Sequence, residues 1–178
     1  MKILKGISQD CTFNQESFKN VIPKQGPYQS TDLSNCTDRL PICLQKRILS
    51  NIIGVEKATA WENIMVAEPF AFNGELYPYR VGQPMGAYSS FPMMALTNHV
   101  LIRVAAKRAE MPRFTKYSVL GDDMCLASQK VDTHLRQILN DLGVGISQKS
   151  YRGKLFNFAK RYFFEDHKEI SGYSINGL

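Results

Sequence analysis

The sequence has no apolar run suited to crossing a membrane. Its longest helical candidate, residues 91–108, is interrupted by Asn98, His99 and Arg103 and is too short for the task. Cysteine is scarce. Cys11, Cys36, Cys43 and Cys125 show neither metal-ligand spacing nor a compact disulfide pattern, so reduced thiols are expected. The three histidines, His99, His134 and His167, are scattered, and no structural zinc is expected. The first residues, Met1 to Gly6, contain no apolar run of signal-peptide length and are no Arg-rich transit peptide. Repeats and low-complexity segments are missing too. Acidic residues are in deficit: 16 Asp and Glu against 22 Lys and Arg, a net charge of +6, which suits a polyanionic partner. With 178 residues, 44% of them hydrophobic, the chain is long and apolar enough for one packed domain.

What is present centres on acid pairs. Tyr117 to Leu126 is an apolar stretch bent at Gly121-Asp122-Asp123. Holding two carboxylates together beside buried flanks is costly unless a cation neutralises them. Mg²⁺, a hard ion that takes oxygen ligands and works with phosphates, is the expected cation, with Mn²⁺ as the alternative. Gly-Asp-Asp also suits an ordinary hairpin turn, and that reading stays open here. A second acid, Asp32, follows a short extended segment, Tyr28 to Thr31. Carboxylates from two directions are what a two-metal phosphoryl-transfer site requires. As a turn or cap residue beside Ser34 and Asn35, Asp32 has a plainer alternative.

Between these acids lies Gly82-Gln83-Pro84-Met85-Gly86-Ala87-Tyr88-Ser89-Ser90, which leads into the helical run. Its glycines permit close backbone approach to a ligand. Ser89 and Ser90 are suited either to capping the helix or to hydrogen-bonding a sugar or phosphate. Residues 149–161 carry five basic residues and no acid, interleaved with aromatics. Such a stripe can track a phosphate backbone, or it can be the solvated face of a strand pair.

The pattern predicts a strand at 28–32 and a helix at 41–53 with Leu44, Ile48, Leu49 and Ile52 as its apolar stripe. A second helix is expected at 57–67 and a hairpin at 70–77 around Asn73-Gly74. The third helix, 91–108, precedes the Gly-Asp-Asp hairpin. A fourth is expected at 132–142, where Leu135, Ile138, Leu139 and Leu142 share one face. A strand at 144–146 and a final hairpin or strand at 155–164 follow, while residues 1–27 read as peripheral. Helices alternating with hairpins indicate an α+β layer of antiparallel sheet backed by helices.

The ordered set Asp32…Asp38, Gly82-Gln83-Pro84-Met85-Gly86…Ser89-Ser90 and Gly121-Asp122-Asp123 resembles motifs A, B and C of a viral RNA-dependent RNA polymerase palm. Thr37-Asp38-Arg39-Leu40-Pro41-Ile42, Phe158-Ala159-Lys160-Arg161 and Gln9-Asp10-Cys11-Thr12-Phe13-Asn14-Gln15 are similar to blocks of the mitoviruses, capsidless RNA replicons of mitochondria. The likeness runs over nearly the whole chain. It implies a right-hand polymerase palm with part of the fingers, residues 1–178 as one fragment, and residues 55–81 as a fingers-side insertion. Polymerases of that family are several-fold longer, so it also implies a piece without the basic fingers motif and most of the thumb.

The resemblance further implies template-directed nucleotidyl transfer to an RNA 3′ end, with RNA template, primer and nucleoside triphosphates as partners. It assigns Asp32, Asp122 and Asp123 to metal and catalysis, Lys149 to protonation of the leaving pyrophosphate, and Asp38, Gly86, Ser89 and Ser90 to the nucleotide. Lys160 and Arg161 would touch the primer backbone. The family departs from this chain at three places: Cys11 stands where Gly is usual, Phe91 where Trp is frequent, and Asn98 where His is frequent. Many related polymerases also carry Asn at the place of Met94, which shifts sugar reading onto Asp38 and Ser90. A mitochondrial location follows from the resemblance. Three readings remain open: a catalytic palm, a non-catalytic remnant of an integrated mitovirus, and a basic RNA-binding module.

Overall fold

The computed structural model describes residues 2–147 and 150–171. Its centre is a four-stranded antiparallel sheet in the order β5-β6-β1-β8, with β1 at Tyr28–Thr31, β5 at Tyr117–Leu120, β6 at Asp123–Leu126 and β8 at Arg152–Gly153. Side chains alternate across such a sheet, so each strand must satisfy two environments. Met124 and Leu126 face one way, toward Leu101, Ile102 and Leu135. Cys125 and Tyr28 face the other, toward Phe18, Phe156, Phe158 and Phe163.

The first layer is helical. Helix α5, Ser90–Arg108, crosses the sheet with α6, Gln129–Asp141. Ser128 caps α6, its hydroxyl accepting the Val131 N–H at 3.3 Å. Leu135, Ile138 and Leu139 are buried beneath it, as the heptad-like spacing predicts. On α5, Met94 and Leu101 are buried, whereas Val104 is exposed.

A second sheet closes the opposite face. Strands β9, Phe156–Phe158, and β10, Arg161–Phe164, form a hairpin extended by β11, Lys168–Glu169. Short β2, Leu33–Ser34, pairs with β7, Gly145–Ile146.

Residues 1–27, expected at the periphery, correct that expectation. They begin with α1, Lys2–Lys5, and include a 3₁₀ turn at Gln15–Asn20. Leu4, Cys11, Phe18 and Ile22 are all buried. The reason is sheet-edge pairing: Cys11 N–H donates to the Val119 carbonyl at 2.8 Å and Val119 N–H to the Gln9 carbonyl at 3.0 Å. The segment therefore caps an edge that would otherwise expose unpaired backbone groups.

Helix α2, Cys36–Arg39, leads into α3, Ile42–Ile53, and α4, Val55–Val66. The two long helices meet at Gly54, whose φ of 88° breaks the helical path. Contrary to the expected stripe, Ile52 is exposed; the fully buried side chain of α3 is Gln45. The β3–β4 hairpin, Phe70–Phe72 and Glu75–Tyr77, turns at Asn73 and Gly74, both at positive φ. No helix among the described residues is long and apolar enough to cross a membrane.

Candidate active site

The site is assembled where β1 ends beside the β5–β6 turn. The register Ser30↔Cys125, Thr31↔Met124 carries Asp32, one residue further on, to the place opposite Asp123. Gly121 alone in the two-residue turn takes positive φ, 64°, the arrangement of a tight turn with glycine first. Asp122 is thereby lifted onto the tip. A Cβ at Gly121 would sit 2.4 Å from the Phe91 ring, so glycine also lets α5 approach the turn.

Asp122 and Asp123 both feel the crowding of acids here. Burial, followed by the Asp32 charge, raises the Asp122 carboxyl above its ordinary range, and Lys160 opposes the shift. Asp123 is pushed up to about 7, chiefly by burial, with Asp32 and Asp122 adding to it and the Ala159 amide opposing it. Neighbouring Cys36 is raised to about 12, again mainly by burial and then by Asp122. Negative charge only partly offset by Lys160 thus collects at the end of β1, a condition that favours a cation. Among the described residues no three His, Cys, Asp or Glu side chains are gathered as a ready metal cage. Two carboxylates with open positions are nonetheless what Mg²⁺ usually takes from protein, the remaining ligands being water and phosphate. The hard oxygen donors of Asp32 and Asp122 fit that chemistry.

A cleft of about 560 Å³ opens in front of this turn, lined among others by Asp38, Gly86, Ser90, Phe91 and Asp122. The glycine-rich loop is fastened at its base. Gln83 N–H donates to the Thr37 carbonyl at 2.9 Å, and its side-chain amide donates to Gln45 Oε1 at 2.7 Å and to the Ser90 carbonyl at 3.2 Å. Gly82 lies so close to α2 that a Cβ would fall 2.0 Å from the Thr37 carbonyl oxygen. Gly86, at φ 90°, has nothing within 4 Å of its would-be Cβ and stands at the open rim. Tyr79 donates its hydroxyl to Asp38 Oδ1 at 3.3 Å.

The expected residues do not all converge. Asp38, Gly86, Ser90 and Asp122 share the cleft. Ser89 is at the helix N-terminus but does not cap it; its hydroxyl accepts from Trp61 Nε1 at 2.9 Å and turns toward α4. Lys160 lies near enough to Asp122 to lower its affinity for a proton. Arg161 pairs with Glu16 and, at 2.6 Å, with Glu169. Arg152 and Lys154 of the basic stripe also face acids, Asp132 at 2.9 Å and Glu165 at 3.3 Å. Lys149 lies outside the described residues.

Two buried polar residues that brace the sheet and its turn lie outside the motifs. Asn98, fully buried on α5, donates its amide to the Gly121 carbonyl at 2.8 Å. Asp132, fully buried on α6, receives Arg136 at 2.8 Å and Arg152 at 2.9 Å. A polar residue amid the apolar positions of each helix was the available hint, but its partners are remote in sequence.

This palm-like sheet with acids at its strand ends defines the class: the fold is that of a template-dependent polymerase palm. The structure of a human picobirnavirus RNA-dependent RNA polymerase superposes with a TM-score of 0.71, covering 93% of this chain and 35% of that one at 19% identity. The chain belongs to the mitovirus RNA-dependent RNA polymerase family, whose model matches residues 1–178. It is 43% identical over 169 residues to the RNA-directed RNA polymerase of Cryphonectria parasitica mitovirus 1, spanning 90% of this chain and 21% of that protein. It is also 32% identical over 178 residues to an uncharacterized mitochondrial protein of Arabidopsis thaliana, covering 92% of this chain and 70% of that one. The chain therefore spans about a fifth of the viral relative.

Proposed function

We propose that this chain is the catalytic palm of an RNA-dependent RNA polymerase, adding a nucleoside monophosphate to an RNA 3′ end with release of pyrophosphate. The carrying observation is the strand register that brings Asp32, at the end of β1, opposite Asp123 and beside the turn whose Asp122 lines a cleft with Asp38 and Ser90. Asp32 and Asp122 would hold Mg²⁺ or Mn²⁺, with Asp123 completing the acidic group. When bound, the ions favour ionisation of the primer hydroxyl and offset charge on the triphosphate.

The chain's own contribution is placement. Asp38, held by Tyr79, and Ser90 offer hydrogen-bond partners for a ribose 2′-hydroxyl, while the open rim at Gly86 leaves room for the sugar. Phe91 walls the cleft beside Gly121. Lys149 is proposed as the proton donor to pyrophosphate, a role typically worth ~10²–10⁴-fold. Lys160, beside Asp122, is the better placed of the two primer-contact candidates; Arg161 already has two acid partners. RNA and nucleoside triphosphates are the proposed partners. Residues 1–178 form one palm fragment in this reading, with residues 55–81 on the fingers side. The names of the plant relatives support a mitochondrial location.

Primer extension by the purified chain with Mg²⁺ or Mn²⁺ tests the proposal. Template-dependent incorporation that disappears in Asp122→Ala supports it; incorporation unchanged in that variant refutes it. A second reading, a folded but non-catalytic remnant, draws on the plant mitochondrial relative, of which the chain covers 70% against 21% of the viral one. RNA binding without incorporation in either protein would favour that reading.

A further inference from the structure

The three acids are not equivalent. Asp123 lies on the same face of β6 as Cys125, because side chains two apart point the same way. Cys125 packs against Phe156, Phe158 and Phe163 of the β9–β10 hairpin. Asp123 is thus directed at that hairpin, and its Oδ2 accepts the Ala159 N–H at 2.8 Å. The Lys160 backbone adds a second favourable contact. Ala159 and Lys160 are the two central residues of the hairpin turn, with φ of 56° and 60°. Asn-Gly sequences ordinarily fill such a turn, since other residues resist the left-handed region. Here alanine and lysine are held in it, and the bond to a carboxylate is the visible restraint.

We infer that Asp123 is a positioning residue: its carboxylate anchors the Ala159–Lys160 turn and so couples the hairpin to the acidic turn, while Asp32 and Asp122 alone supply the metal carboxylates. The inference rests on the polymerase reading for its metal half and on hairpin geometry for its anchoring half. The anchor has a consequence for charge. It delivers Lys160 to the vicinity of Asp122, where the ammonium partly offsets the crowded acids.

The test uses the whole ¹⁵N-labelled chain and its Asp122→Asn, Asp123→Asn and Asp123→Ala variants. Mn²⁺ affinity is read by electron paramagnetic resonance and Ala159 amide exchange by nuclear magnetic resonance. Asp123→Asn keeps an acceptor oxygen, so both Mn²⁺ affinity and Ala159 protection should stay within about threefold of the parent. Asp123→Ala should speed Ala159 exchange about tenfold or more, the expected loss of a charge-assisted bond. Asp122→Asn should weaken Mn²⁺ binding about tenfold or more while leaving Ala159 protected. Mn²⁺ affinity lost equally in Asp123→Asn and Asp122→Asn would overturn the inference, as would Ala159 exchanging alike in parent and Asp123→Ala. A parent chain that binds no Mn²⁺ would sink the metal half and the polymerase reading together, while the exchange data would still decide the anchor.

Discussion

Asn98 reaches from the middle of α5 to the Gly121 carbonyl, 2.8 Å away, and ties the long helix to the turn that carries Asp122. The bond is fully buried, so removing the donor strands a carbonyl that water does not readily reach. Asn98→Leu should cost about 1–3 kcal/mol of stability, the penalty for an unsatisfied buried group. Urea denaturation gives the stability. On the proposed metal reading, Mn²⁺ affinity should fall as well, because the turn is no longer held at one height. A variant with parental stability would show that the bond carries nothing.

The two glycines of the loop make a paired prediction. At Gly82 an added Cβ meets the backbone of Thr37 and Asp38 at 2.0 Å and 2.5 Å, and backbone cannot step aside. Gly86 has open space and only its positive φ to lose. Gly82→Ala should therefore destabilise by roughly 2 kcal/mol or more through overpacking, and Gly86→Ala by about 1 kcal/mol through backbone strain alone. Thermal denaturation of the two variants side by side checks the order. Equal effects would mean that the loop is not seated on α2.

Legibility in the sequence followed the range of the interaction. Helix α6 and the β3–β4 turn at Asn73-Gly74 depend on neighbours a few residues away, and periodicity and turn chemistry expose them. Helix α5 began within one residue of its expected start. Asp122 stands out in the sequence because it lies in an apolar stretch, and Asp32 as a second acid after an extended segment; that the two lie near each other is set by strand pairing. Residues 2–27 do not read as core because Leu4, Cys11, Phe18 and Ile22 follow neither a helical nor a strand period; partners remote in sequence bury them. Ile52 fits the apolar stripe but is exposed, as are Ile53, Val55 and Ile64 of the same helix pair. The direction of Asp123 was not legible either. It depends on which strand pairs with which, and on a hairpin more than thirty residues downstream.

Asp132 illustrates the cost of a buried charge. Its carboxylate is fully buried and takes Arg136 and Arg152, with the Thr31 hydroxyl at 3.4 Å. It thereby binds α6 to β1 and to β8. Asp132→Leu leaves two guanidinium groups without their acid and should cost about 3–5 kcal/mol. Arg152, whose side chain is 52% exposed, is the weaker partner, and Arg152→Ala should cost at most about 1 kcal/mol. Urea titration of both variants tests the asymmetry. A larger loss at Arg152 than at Asp132 would reverse this account of what holds β8.

The raised carboxyl of Asp123 predicts a pH dependence of defined sign. Burial moves it from an ordinary 3.8 to about 7 in the folded chain, against the opposing pull of the Ala159 amide. Between those values the folded chain keeps a proton that the unfolded chain has released, so stability falls as pH rises through the window. Below 3.8 the contribution is fully present; above about 7 it is lost. Other groups titrate in the same range, so the useful quantity is the stability of the parent relative to Asp123→Asn, measured without divalent ions. That difference should decline steadily from pH 4 to pH 8, because the amide cannot titrate. A difference that stays level would place the Asp123 carboxyl in its ordinary range. One that grows with pH would mean that the Ala159 amide outweighs burial.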